Sequence, residues 1–117
     1  MRREFSSFIR IAPIRNRQIG ELVTLTTYSD VSFDENPKTS TQGVLYDQSL
    51  KVTVPRAEAE VFLSMIPRFR AQVWLHDGAE FHSWGTIDIP VQVVINPQPE
   101  TVLFEMSCKS LLPLLHG

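Results

Sequence analysis

Little reactive chemistry is written into this chain. A single cysteine, Cys108, excludes an intramolecular disulfide framework, so stability must come from burial, as suits a reducing compartment. Five glycines in 117 residues leave few backbone cradles for an anion. There is no glycine-rich phosphate loop, no Cys-x-x-Cys, no His-Glu-x-x-His and no nucleophile elbow. No apolar run approaches the roughly 20 residues of a membrane span, and the first residues lack the apolar core of a secretory signal. A large excess of one charge sign is missing too. Eleven Lys and Arg against thirteen Asp and Glu give a net charge of −2, which argues against a nucleic-acid binder held by charge alone.

What is present is a composition of 43% hydrophobic and 21% charged residues, that of one globular domain with one core. Charge is unevenly placed along it. Arg2, Arg3, Arg10, Arg15 and Arg17 against Glu4 give residues 1–17 a charge of +4, leaving −6 for the rest. Phe5, Phe8, Ile9 and Ile11 are interleaved with those arginines, which predicts an ordered edge strand. Residues 18–28 are rich in Val, Thr, Leu and Tyr and read as a further strand. Residues 29–43 are polar, contain Asn36-Pro37 and offer only Val31 and Phe33 as apolar anchors. That profile predicts a long loop, and loops this long in small domains are usually functional.

From Leu50 onward, periodicity guides the reading. Leu50, Val52 and Val54 alternate with polar residues up to Pro55, the pattern of a half-buried strand. Ala59, Phe62, Leu63 and Ile66 then recur at helical spacing and Pro67 stops the run, predicting one helix over residues 56–66. After Pro67 the period returns to two. Phe69, Ala71, Val73 and Leu75 hold odd positions, as do Phe81, Ile87, Ile89, Val91, Val93 and Ile95. Opposed residues must share a face, so a two-residue Asp77-Gly78 turn fails, whereas a bulged three-residue loop at His76-Asp77-Gly78 sets Val73 opposite Phe81. The same test pairs Val93 with Phe104 and Ile89 with Cys108 across a loop from Pro97 to Glu100, and Pro90 should mark a bend, bulge or edge. The predicted core is Val52, Phe62, Val73, Phe81, Ile87, Val93 and Phe104. The fold class that follows is mainly β, a small antiparallel barrel or sandwich with one helix.

The candidates for chemistry are few. His76, Asp77 and His82 lie close in sequence, but in the register above His82 faces Gln72 and the three do not converge, so no metal site is expected. The acidic residues Asp30, Asp34 and Glu35, with Asn36, lack the spacing of a calcium loop. Asp47, Asp88 and Glu105 are not brought together by anything in the sequence, and Cys108 on an apolar face reads as a small buried hydrophobe. Trp74 and Trp84 hold even positions, opposite the core residues, which marks them for a second packed layer or an interface. Leu111, Leu112, Leu114 and Leu115, around Pro113, are too apolar to lie in water without a partner, and are expected to pack on their own domain or on a neighbour. The interface candidates are therefore the five arginines, Val31, Phe33, the two tryptophans and those four leucines. The competing reading is a ligand-binding or enzymatic β domain using the surface of His76, His82 and Trp84.

Leu50 to Val54, Gln72 to Gly78, Phe81 to Val94 and Val102 to Lys109 run in an order that resembles small head-closure, or head–tail adaptor, proteins of tailed bacteriophages. Ser83-Trp84-Gly85-Thr86 followed by Ile89-Pro90-Val91, with the close at Leu111-Leu112-Pro113-Leu114, also resembles small prophage tail proteins. The resemblance implies a non-enzymatic virion subunit, made in the bacterial cytoplasm, forming a homo-oligomeric ring in the neck or tail and touching adjoining virion proteins. It implies no cofactor, no membrane and no small-molecule substrate. The full helical turn series after Pro55 departs from the adaptor pattern. The basic residues 1–17 are expected to meet an acidic neighbouring subunit, or the phosphates of DNA in a channel.

Overall fold

The computed structural model describes residues 1–41 and 43–115. Their order is β1 (Arg2–Phe5), β2 (Phe8–Arg15), β3 (Gln18–Ile19), β4 (Val23–Thr26), β5 (Val31–Ser40), β6 (Gly43–Pro55), α1 (Glu60–Leu63), β7 (Arg68–His76), β8 (Phe81–Trp84), β9 (Val91–Pro97) and β10 (Thr101–Ser110). The fold is mainly β, as the alternating pattern predicts. All the strands join one antiparallel sheet in the order β1-β5-β6-β10-β9-β7-β2-β3, with β4 beside β2 and β8 beside β7. The sheet curls around one core without closing into a barrel. Its flanks approach where the Tyr28 N–H donates to the Thr53 carbonyl at 3.1 Å, and where the rings of Phe33 and Trp84 meet at 5.0 Å.

The odd-position residues of β7 and β9 and the even-position residues of β6 and β10 face this core, because a pleated strand buries every second side chain. Val52, Phe62, Val73, Val93 and Phe104 are buried as expected, whereas Phe81 and Ile87 are only partly so. Residues 1–17 are ordered as β1 and β2, and residues 18–28 hold β3 and β4 in place of one strand.

Four expectations are corrected. The polar residues 29–43 are not a loop, since most of them are β5, which pairs with β6 from Gly43 to Ser49 as a hairpin. Val31, Phe33 and Glu35 do alternate as buried residues, but the glutamate and the following Asn36-Pro37 hide the period. The helix is one α-turn, Glu60–Leu63, embedded in tighter turns such as Ala59 N–H to Arg56 C=O and Met65 N–H to Phe62 C=O. The β7–β8 hairpin pairs Val73 with Trp84 and His76 with Phe81. Asp77 N–H bonds to Glu80 C=O, so the reversal turns on Gly78-Ala79, with Gly78 at φ 99°. Trp84 therefore faces the core and Phe81 faces out. Residues 85–90 then interrupt the strand and reset the inward parity, with Gly85 at φ 87° so close to Val91 that a Cβ would lie 2.8 Å from its Cγ2. Last, Phe104 pairs with Ile95 and Met106 with Val93, two residues from the predicted register, because Gln98 N–H to Thr101 C=O closes a shorter turn.

Phe104 is fully buried and packs edge-on against Phe62 at 5.7 Å. Phe104→Ala should cost about 3–5 kcal/mol in denaturant unfolding, and a loss below about 1 kcal/mol would place β10 outside the core.

Candidate functional site

The structure concentrates unusual features at one end of the molecule, where β5 and β6 run on as a two-stranded arm. β1 pairs with β5 only as far as Asp34, and β10 pairs with β6 only as far as Tyr46. Met1 carries the contact one residue further, its amine and carbonyl bonding to the Glu35 carbonyl and N–H, and beyond Glu35 and Tyr46 the two strands of the arm have only each other as ladder partners among the described residues. Lys38 Nζ reaches Asp47 Oδ2 at 2.7 Å across them, and this hydrogen bond holds the Asp47 carboxyl below its ordinary pKa. Arg2 does the same for Asp34 at the root. The edge of β5 carries Pro37, which has no N–H, and Lys38, both of which discourage strand addition. The edge of β6 carries Gly43, Val44 and Leu45, all exposed and with no such protection.

At the root of the arm a glutamate lies in the core. Glu35 is 2% exposed, and three N–H donors converge on its carboxyl group. Gln48 Nε2 donates to Oε2 at 2.8 Å, the Leu114 N–H to Oε2 at 2.6 Å and the Leu115 N–H to Oε1 at 3.1 Å. Gln48 is itself buried and accepts from Trp84 Nε1 at 2.8 Å. A continuous polar chain thus links β8, β6, β5 and the segment after β10. It pins Leu115 into the core and leaves Leu111 and Leu112 exposed, at 63% and 76%, beside the arm.

The interface candidates sort accordingly. Val31, Phe33, Trp84 and Leu115 are buried within this chain and Leu114 is partly buried, which corrects the outer-face placement of Trp84 and packs the end of the tail on its own domain. Trp74 is half-buried. Leu111 and Leu112 remain at the surface. Arg2, Arg3 and Arg17 are within ion-pair distance of Asp34, Asp77 and Asp88 at 2.8, 3.4 and 2.7 Å, so the charge segregation seen along the chain is largely cancelled in space. Arg10 lies over the Phe81 ring at 4.2 Å, and Arg15 is exposed.

The hairpin residues do converge in part, another correction. The register that turns Trp84 inward brings His82 Nε2 to 2.7 Å from Asp77 Oδ2, and Glu80 completes a set whose ligand atoms lie within 4.8 Å of one another. His76 stays apart, its Nδ1 accepting from Gly78 N–H. Asp77 is already committed: Oδ1 accepts from Ala79 and Glu80 N–H, and Oδ2 faces both His82 and the Arg3 guanidinium. The set reads as a turn clamp, since a cation there would displace these donors. The bond from His82 and the two backbone N–H bonds hold the Asp77 carboxyl far below the usual carboxylate range. Among the other acidic residues, Asp30 accepts from Ser7 Oγ, Asp88 pairs with Arg17 and Glu105 accepts from Asn96. Burial pushes the Cys108 thiol up, which makes it a poor nucleophile.

Two outcomes are expected. Glu35→Leu leaves buried N–H groups without an acceptor and should cost about 2–4 kcal/mol, with residues 111–115 becoming open to limited proteolysis. Asp77 stabilises the fold fully above its unfolded pKa of about 3.9, and that contribution is lost as pH falls through the depressed folded value. Wild type should therefore outlast Asp77→Asn in thermal melts near neutral pH, by a margin that shrinks steadily below about pH 4.

No family model, no curated protein and no solved structure matches this chain.

Proposed function

We propose that the protein is a non-enzymatic structural subunit of a phage or prophage virion, in the neck or tail, that works by assembling with copies of itself into a ring. The observation that carries the assembly is the arm. It extends β5 and β6 beyond their neighbours, leaves one backbone edge unprotected and sets exposed Val44, Leu45, Leu111 and Leu112 at the same end. Exposed apolar groups gathered at one place favour a protein partner. The virion context rests on the resemblance of residues 50–54, 72–78, 81–94 and 102–109 to head-closure proteins, and of residues 83–91 and 111–114 to small tail proteins. Protein is favoured over DNA as the partner, because Arg2, Arg3 and Arg17 already have carboxylate partners within the chain. The competing ligand-binding reading loses Trp84, which is buried and bonded to Gln48.

Sedimentation velocity over a range of concentrations tests the reading. Species well above the 13.3 kDa monomer are expected at micromolar protein, with ring-shaped particles in electron micrographs. A monomer at every concentration, together with binding of a small ligand abolished by His82→Ala, would overturn it.

A further inference from the structure

Strand β7 buries Ala71, Val73 and Leu75, so the intervening Arg68, Arg70, Gln72, Trp74 and His76 all stand on its outward face. Strand pairing sets Arg10 of β2 and Ser83 of β8 on either side of Trp74, and Gln92 of β9 beside Arg70. Phe8, His76 and Phe81 close one end of this face as a packed cluster, their rings 4.7 to 5.8 Å apart. The Arg10 guanidinium lies flat against that cluster, 4.2 Å from the centre of Phe81.

The cations here differ from those that close ion pairs. Arg2, Arg3, Arg17 and Lys38 each have a carboxylate within reach, whereas Arg10, Arg68 and Arg70 have none among the described residues. No Asp or Glu stands among the outward residues of β2, β7 and β8. The bordering carboxylates are engaged: Glu58 accepts from the Thr26 N–H and Glu105 from Asn96. Arg10 Nε is even buried without an acceptor among the described residues, a costly state that nothing inside the domain relieves. Trp74 is equally uncommitted, since it is half-exposed and no ring or hydrogen-bond partner among the described residues engages it.

We propose that the outward face of β2, β7 and β8 binds single-stranded nucleic acid, with Arg10, Arg68 and Arg70 at the phosphates and Trp74 stacked on a base. Guanidinium groups without carboxylates call for an anion, and their spread along β7, about 27 Å from Arg68 to His76, calls for a polyanion. An open indole flanked by arginines matches an unpaired base, whereas the bases of a duplex are already stacked on one another. Gln72 and Gln92 each offer an amide donor and acceptor for base edges, groups for which an acidic peptide has less use. At a net charge of −2 the chain cannot hold a polyanion by charge alone, so stacking has to supply part of the affinity. β9 and β10 separate this face from β6, so it is distinct from the arm and the proposal stands independently of self-assembly.

Fluorescence anisotropy with a labelled oligothymidylate long enough to cross the face tests the proposal, with circular dichroism and melting temperature as folding controls. With three phosphate contacts, the logarithm of the wild-type binding constant should fall against the logarithm of salt concentration with a slope of about −2. Arg68→Gln combined with Arg70→Gln should reduce that slope to about −0.7. Trp74→Leu should weaken binding about ten-fold and leave the slope unchanged, while Trp74→Phe, which keeps a ring, should retain most of the affinity. Binding should also quench the wild-type tryptophan fluorescence and leave that of Trp74→Leu, which comes from the buried Trp84, unaltered. No binding at low salt, a duplex of the same length bound as tightly, or an affinity indifferent to both the arginine pair and Trp74→Leu would each overturn the proposal. Polyglutamate bound more tightly than the oligonucleotide would make an acidic protein the occupant, and overturn it too.

Discussion

A carboxyl group in a hydrophobic core must be surrounded by donors, and Glu35 is the point on which the architecture turns. Its three N–H partners come from β6 and from two residues that follow β10, so a single side chain satisfies polar groups of segments far apart in sequence. Without it Gln48 Nε2 would keep only the longer bond to the Leu112 carbonyl, and the Trp84 indole, held by Gln48, would be less firmly oriented against Phe33. Hydrophobic burial supplies most of the driving force, as the apolar core from Phe5 to Leu115 requires. Burial is not directional, however. The Glu35 chain supplies direction, fixing which way β8 faces and where the chain goes after Ser110.

Much of the β architecture is legible in the sequence because alternation is a local signal. Leu50, Val52 and Val54 declare an inward face, and so do Val102, Phe104, Met106 and Cys108. What escapes is parity across turns. At Asp77 the side chain accepts two backbone N–H bonds and stabilises a turn centred one and a half residues beyond the one that apolar matching favours. That small shift exchanges the faces of Phe81 and Trp84. Residues 85–90 then restore the odd-inward pattern in β9, so an error at one turn is masked at the next. The helix is overread for a related reason: helical spacing of Ala59, Phe62 and Leu63 specifies which residues are buried, and a series of tight turns buries them as well as a regular helix does.

The candidate site is less visible. A polar run with an Asn-Pro step looks like a loop, yet its polarity is that of a hairpin wetted on both faces, where burial no longer imposes alternation. The five arginines suggest a basic patch because sequence shows charge in one dimension, and folding sets three of them against carboxylates from distant segments. The outward face of β2 and β7 has no local signature at all, since Arg10 and Trp74 meet only through strand pairing. Leu111 and Leu112 are legible, for the reason that apolar side chains in succession demand cover.

The Glu35 clamp also bears on how this chain can change over evolutionary time. It grips Leu114 and Leu115 through their peptide N–H groups, and a peptide N–H is the same in every residue but one. Side chains there can drift among apolar types without disturbing the grip, whereas proline, tolerated next door as Pro113, would abolish a donor outright. The glutamate has no comparable latitude, because aspartate shortens the reach and glutamine turns one acceptor into a competing donor. Variation is therefore channelled to the clamped segment and withheld from the clamp, an asymmetry of constraint that burial alone would not impose.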